Sequence, residues 1–271
     1  MMTRDRIGAA HVAAVAFALA ANAAMAQQYG TNLLVNPGAE QGPASPNGST
    51  LVNIPGWDTF GDGFTVVAYG TAGFPTTFSG SGRNFFVGGA DSQFSTASQS
   101  VDLNALAGDI ERGGVAFQLS AQLGGAGSQD DSASITLLWL DAAGNSIGTS
   151  GLLGPLAGER GNQTRLLARS TQGLIPPQTK SVVLVLFMAR NVGTFNDASA
   201  DNISLTLTQP PCESDINQDG NVDQGDLDYL INVLAGGANP VRMDPDFNRD
   251  GNADQGDIDA LVNVVAGGAC P

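Results

Sequence analysis

Histidine is almost absent. The chain of 271 residues has one, His11, inside an N-terminal stretch that reads as a targeting segment. Arg4 and Arg6 form a basic n-region, Ile7 to Ala24 a run of small and apolar residues, and Ala24-Met25-Ala26 an A-x-A cleavage site. With residues 1–26 removed on export, no imidazole remains to serve a Ser-His-Asp or Cys-His constellation, or to ligate zinc or iron. The expected location is therefore secreted, extracellular or at the cell surface. Positive charge is nearly as scarce: Lys180 is the sole lysine and the formal net charge is −15. That balance excludes nucleic acid and anionic membrane surfaces as partners. Beyond the targeting segment no run is long and apolar enough to span a bilayer. The two cysteines, Cys212 and Cys270, bracket the last sixty residues or so. In an exported chain they read as a disulfide rather than as a nucleophile.

What the chain has in excess is acid at fixed spacing. Asp215-Ile-Asn-Gln-Asp-Gly-Asn-Val-Asp-Gln-Gly-Asp226 is followed by a near copy, Asp246-Phe-Asn-Arg-Asp-Gly-Asn-Ala-Asp-Gln-Gly-Asp257. Positions 1, 3, 5, 9 and 12 of such a loop present oxygens to a hard cation, and position 7 adds a backbone carbonyl. The candidate ligands are Asp215, Asn217, Asp219, Asn221, Asp223 and Asp226 in one loop, and Asp246, Asn248, Asp250, Asn252, Asp254 and Asp257 in the other. Gly220 and Gly251 fall at position 6, where the chain turns sharply. Aspartate at position 12 replaces the usual glutamate and shortens the reach toward a bidentate contact.

An amphipathic run follows each loop. Leu227, Leu230, Ile231 and Leu234 in one, and Ile258, Leu261, Val262 and Val265 in the other, share a helical stripe, and each run stops at a Gly-Gly pair. No comparable helix precedes either loop, so the two stripes are expected to bury against each other. This duplicated loop-helix over residues 212–271 resembles the dockerin domain of cellulosome-type systems. The resemblance implies two bound Ca2+ ions and a cohesin-like domain on a partner protein. It places partner recognition at Gln224-Gly225 and Gln255-Gly256, where many dockerins carry hydroxyl residues.

Residues 30–209 carry short period-2 runs between turn signals. Val115, Phe117, Leu119, Ala121 and Leu123 alternate and should face a core, as should Ile203, Leu205 and Leu207. Ile135 to Leu140 leads into a hairpin signal at Asp141 to Asn145, and Val182 to Met188 is apolar on both faces, like a central strand. No helix competes. The fold class expected is mainly β: an antiparallel β-sandwich followed by a small α-helical calcium-binding unit. Asn32 to Glu40 and Ala200 to Leu205 look like the first and last strands of galactose-binding-like jelly rolls, the fold of many carbohydrate-binding modules. That resemblance implies a structural calcium held by Glu40 and Asp201.

A sugar platform needs exposed aromatic faces. The candidates are Trp57, Phe60, Phe64, Tyr69 and Trp139, with burial in the core as the competing reading for each. Three functions stay open. The sandwich could bind a carbohydrate, act as a glycoside hydrolase or lyase through two carboxylates, or serve as an adhesive or structural surface domain. None of its carboxylates, among them Asp58, Asp109, Asp131 and Asp197, sits in a recognisable acid/base context. Thr208-Gln-Pro-Pro211 reads as a short stiff linker from which the small domain should project.

Overall fold

The structure is a computed structural model that describes residues 29–61, 63–209, 212–268 and 271. The stretch read as a targeting segment, residues 1–26, lies outside the described residues, as do Pro210, Pro211 and Cys270. Ten strands run in order along the chain: β1 (Asp58–Phe60), β2 (Thr65–Ala68), β3 (Asn84–Ala90), β4 (Phe94–Asp102), β5 (Ala116–Gly125), β6 (Ser132–Leu140), β7 (Ser146–Leu153), β8 (Arg165–Leu174), β9 (Ser181–Ala189) and β10 (Phe195–Thr208). They form two five-stranded antiparallel sheets, ordered β1-β4-β9-β6-β7 and β2-β3-β10-β5-β8. The alternating positions of β5, from Phe117 to Leu123, and of β10, from Ile203 to Leu207, point between the sheets and are buried. Val182, Leu184, Leu186 and Met188 of β9 meet them from the other sheet. Burial of these branched chains, worth about 1.5–3 kcal/mol each, sets the register, because a one-residue slip would turn every one of them outward.

The hairpin at Asp141 forms as its sequence specifies. The Asp141 carboxylate accepts from the backbone N–H groups of Ala143 and Asn145, at 2.9 and 2.8 Å, and these bonds hold its pKa below the usual carboxylate range.

Three expectations about the sandwich region need correction. Asn32 to Glu40 is not a strand. Asn36 and Ala39 have positive φ, at 50° and 58°, which breaks the extended path. The segment instead lies along β10 through Leu33 N–H to Leu205 O (2.9 Å) and Asn32 side-chain bonds to Ile203 and Leu205. A helix is also present: α1 (Ala107–Arg112), six residues long, too short for periodicity to reveal, and closed by Gly113 at φ 85°. Finally, the small domain does not simply project. Its second loop and the residues just before it lean on α1 through ion pairs between Arg112 and Asp244 and between Arg249 and Asp109.

The C-terminal unit contains α2 (Gln224–Leu234) and α3 (Gln255–Val265). Leu227, Leu230 and Leu261 are buried between them, joined by Ile216 and Phe247 from position 2 of each loop. Ile231 and Val262, expected in the same stripe, are 45% and 46% exposed. Two helices of three turns cover only a narrow arc of one another, and these equivalent positions fall at its edge.

Candidate functional site

The outward face of the first sheet is where exposed aromatic surface gathers. Phe60, Thr96, Phe187, Ser134 and Leu153 stand in one cross-strand row, each directly opposite the next. The adjoining row is Asp58, Ser98, Val185, Thr136 and Gly151. Phe94 sits two residues from Thr96 on the same face and stacks on Phe187, with ring centroids 5.6 Å apart and planes 24° from parallel. Phe60, Phe94 and Leu153 are 46%, 53% and 76% exposed. Asp58 is the only charged residue in the two rows, hydroxyls punctuate the apolar positions, and the buried Ser98 Oγ has no hydrogen-bond partner. Such a face can stack on an apolar ring surface while offering neutral hydrogen-bonding groups.

Of the aromatics picked from sequence, only Phe60 stands on this surface. Trp57, Phe64 and Trp139 are buried. Trp57 donates its indole N–H to Asn36 O (3.0 Å), and Trp139 donates to Ser150 Oγ (3.1 Å). Tyr69 is tied to the second sheet by Phe85 and Asp201. The sequence reading missed Phe94 and Phe187. Phe187 belongs to the run that is apolar on both sides. That pattern does mark a central strand, but among the described residues no second layer covers its outer face.

Glu40 and Asp201 do converge, beside β10, the middle strand of the second sheet. Glu40 Oε1 accepts from the backbone N–H groups of Arg83 and Asn84, at 2.8 and 2.9 Å. Gly82, whose φ of 67° favours glycine, lies so close that a Cβ there would come within 2.4 Å of the same oxygen. Asp201 is fully buried, accepting from the Tyr69 hydroxyl and the Asn202 backbone N–H, both at 2.7 Å. Burial pushes its pKa up to about 7, the two hydrogen bonds oppose that, and the charge of Glu40 adds to it. The nearby charge of Glu40 makes it costly for buried Asp201 to ionise, a cost that a hard cation between the two would relieve.

Each acidic loop folds around its own backbone. Asp215 accepts from the N–H groups of Asp219 (3.1 Å) and Gly220 (2.9 Å), and Asp226 from those of Asn217 (3.1 Å) and Asp223 (2.9 Å). The second loop repeats this. Asp246 accepts from Gly251 N–H (3.1 Å), and Asp257 from those of Asn248 (2.9 Å) and Asp254 (2.7 Å). Asn217 and Asn248 bond to the N–H two residues on, as do Asp219 and Asp250. Gly220 and Gly251 take φ of 93° and 92°, the turn that position 6 demands.

Asp223 and Asp254 also serve the helices. Each is the N-cap of the helix that follows, accepting from Gly225 or Gly256 N–H at 2.7 Å in a capping box with the buried Asp226 or Asp257. Among the described residues no three His, Cys, Asp or Glu side chains stand together as a metal cluster. The donor set is nonetheless all oxygen, and Asp246 Oδ1 is buried without a partner. Those two features fit a hard cation, with amide and main-chain oxygens completing the set.

A further polar cluster closes one end of the sandwich. The buried Arg160 guanidinium donates to the carbonyls of Gly125 (2.8 Å), Gly127 (3.1 Å), Gln163 (2.6 Å) and Gln129 (2.5 Å). Asp131, also buried, accepts from the backbone of Asn191, Val192 and Asp197 at 2.6, 3.0 and 2.9 Å. Burial, then the charge of Asp131, raises Asp197 to about 6 against the pull of Arg160. Every oxygen of Asp131 is spent on holding a loop, so this pair is an anchor rather than an acid/base couple.

No protein-family model matches the chain, and no curated protein matches it. Among solved structures it is similar to a cyclase from Fischerella sp. TAU, at 14% identity and a TM-score of 0.45, over 66% of this chain and 96% of that one. It is also similar to the carbohydrate-binding module TmCBM61 in complex with beta-1,4-galactotriose, at 18% identity and TM-score 0.37, over 66% and 98%. A third is the enzymatically active domain of tailspike protein 4 of bacteriophage CBA120, at 16% identity and TM-score 0.40. The match covers 65% of this chain, which spans only 21% of that one. At such scores the likenesses carry no argument about function, and the sandwich rests on its own strand order and register.

Proposed function

We propose that this is an exported, non-catalytic binding protein whose sandwich holds a neutral glycan on the outward face of the β1-β4-β9-β6-β7 sheet. The observation that supports this reading is the row of Phe60 and the stacked Phe94–Phe187 pair among hydroxyls, on a face with one charged residue in its two central rows. Rings of this kind cover the apolar face of a pyranose, and the hydroxyls of Thr96, Ser134 and Thr136 meet its polar rim. The strongly negative chain disfavours acidic polysaccharides. The Asp131–Asp197 pair offers the enzyme reading no acid/base couple, since Asp131 is committed to backbone.

The C-terminal unit is, in this reading, a dockerin-like anchor. Each loop takes one Ca2+, which would neutralise the clustered carboxylates. Asp215, Asn217, Asp219, Asn221, Asp223 and Asp226 would hold one, with Asp246, Asn248, Asp250, Asn252, Asp254 and Asp257 the other, while Glu40 and Asp201 would hold a third in the sandwich. A Cys212–Cys270 bridge would staple the ends of the repeats. Among the described residues there is no free cysteine. The partner would be a cohesin-like domain, met at Gln224-Gly225 or Gln255-Gly256.

The test pairs a glycan-array screen of the mature chain with a reducing-sugar assay. Retention of a neutral polysaccharide that is lost in Phe94→Ala/Phe187→Ala supports the reading. Release of reducing ends that a single Asp or Glu substitution abolishes would replace it with the enzyme. Neither retention nor release would leave the adhesive domain.

A further inference from the structure

The two acidic loops are near copies, identical at sixteen of the twenty-three positions between Asp215 and Gly237 and between Asp246 and Gly268. Their electrostatic surroundings are not. Arg112, on α1 of the sandwich, pairs with Asp244 at 2.7 Å and reaches Asp246, the first donor of the second loop, at 3.7 Å. Asp109 holds the same guanidinium from the other side at 2.7 Å and also faces Arg249, inside the second loop, at 3.8 Å. Tyr29 donates its hydroxyl to Asp109 and completes the cluster. In the first loop Gln218 stands where the second has Arg249, and Asp215 makes no ion pair among the described residues. Around this contact lies a cleft of about 680 Å³ that Arg112, Asp244, Asp246, Phe247 and Arg249 help to line.

We propose that Arg112 sets the calcium affinity of the second loop and couples the filling of that loop to the seating of the repeat unit on the sandwich. The inference rests on the calcium reading of the loops given above. A cation entering the second loop would neutralise Asp246 and add positive charge beside a guanidinium already spending part of its attraction there. The ion and Arg112 therefore compete for one carboxylate. Linkage makes the effect reciprocal: Arg112 weakens the ion, and the ion weakens the contact between the domains by the same factor. The first loop, with no guanidinium paired to Asp215, is outside this competition. The arrangement gives the mature chain one tight site and one weaker site, and occupancy of the weaker site releases the repeat unit from α1.

The experiment is a calcium titration of the mature chain against a chromophoric chelator, with small-angle scattering at matched free calcium. Wild type should show two resolved constants for the repeat unit, identified as those that Asp215→Ala and Asp246→Ala remove, apart from any constant that Asp201→Asn removes from the sandwich. Arg112→Gln should tighten the weaker one about tenfold and leave the tighter one within about twofold, as expected for removing one charge close to a divalent ion at a partly solvated site. Arg112→Lys keeps the charge and should stay within about threefold of wild type, and Arg242→Gln, in the same cleft but unpaired to a loop carboxylate, should do the same. In scattering, wild type should lengthen as the weaker site fills, whereas Arg112→Gln should be lengthened before it fills. Two constants indifferent to Arg112, or a weaker constant that Arg112→Gln loosens, would overturn this inference alone. Absence of calcium binding in wild type would overturn the calcium reading and the inference with it.

Discussion

Substituting Asp226 by alanine should cost the C-terminal unit most of its stability. The carboxylate is fully buried at the start of α2 and accepts two backbone N–H groups, those of Asn217 and Asp223. Removing it leaves both donors without a protein acceptor, and an orphaned donor costs about 1–3 kcal/mol when water cannot reach it. Asp223 is exposed and Asn217 half-buried. Water therefore recovers part of each bond, and the expected loss lies toward the low end, about 2–3 kcal/mol. A unit of this size carries about 3–5 kcal/mol in all, so the change is a large fraction of what exists. For so small a domain it corresponds to a fall of about 10–20 °C in melting temperature. Asp226→Asn keeps one acceptor and should lose roughly half as much, and Asp223→Ala, which removes only the N-cap bond, about 1 kcal/mol. Differential scanning calorimetry of the full chain in excess chelator, where no calcium ligand is lost with the carboxylate, separates the two domains, and the sandwich transition should not move. A repeat transition unchanged in Asp226→Ala, or lowered more by Asp223→Ala than by Asp226→Ala, would refute the reasoning.

Three more outcomes are expected. Chelation should lower the repeat-unit transition, and calcium at a hundred times its dissociation constant should raise it by about 2.7 kcal/mol through mass action, read by the same calorimetry. Single Phe94→Ala and Phe187→Ala variants should each weaken retention of a bound polysaccharide on affinity gels about three- to tenfold, as for loss of one aromatic contact, with near-ultraviolet circular dichroism unchanged outside the lost ring. The folded pKa of Asp197 is raised to about 6 from 3.8. Its protonated form therefore favours the fold at low pH, and that contribution is lost as pH rises through the window from about 4 to about 6. Asp197→Asn should flatten urea-denaturation stability across that window, and an unchanged pH slope would contradict the placement of Asp197.

Much of the sandwich could be read because its strands obey a strict two-residue alternation. Phe117, Leu119, Ala121 and Leu123 could face only one way, and the structure buries them. The paired loops were legible for a different reason: oxygen donors and glycine recur there at spacings that loop geometry fixes. What escaped depends on contacts distant in sequence. Phe94 and Phe187 meet only because β4 and β9 pair across ninety-odd intervening residues, and an apolar outward position looks the same whether a layer covers it or not. Glu40 and Asp201 were placed together by resemblance, and nothing local to either residue shows it. Asp223 and Asp254 illustrate a second role that spacing does not show, since an aspartate placed to face an ion can also cap a helix.

The guanidinium of Arg160 sits among four main-chain carbonyls where another protein could have placed a metal ion. A covalently attached cation cannot diffuse away, does not deprotonate at any ordinary pH, and cannot be withdrawn by a chelator. The loops at that end of the sandwich therefore keep their clasp in any medium, while the acidic repeats, in the proposed reading, depend on what the medium supplies. One molecule would then carry a self-sufficient half and a supply-dependent half. In calcium-poor surroundings it would lose its anchor while keeping its binding face.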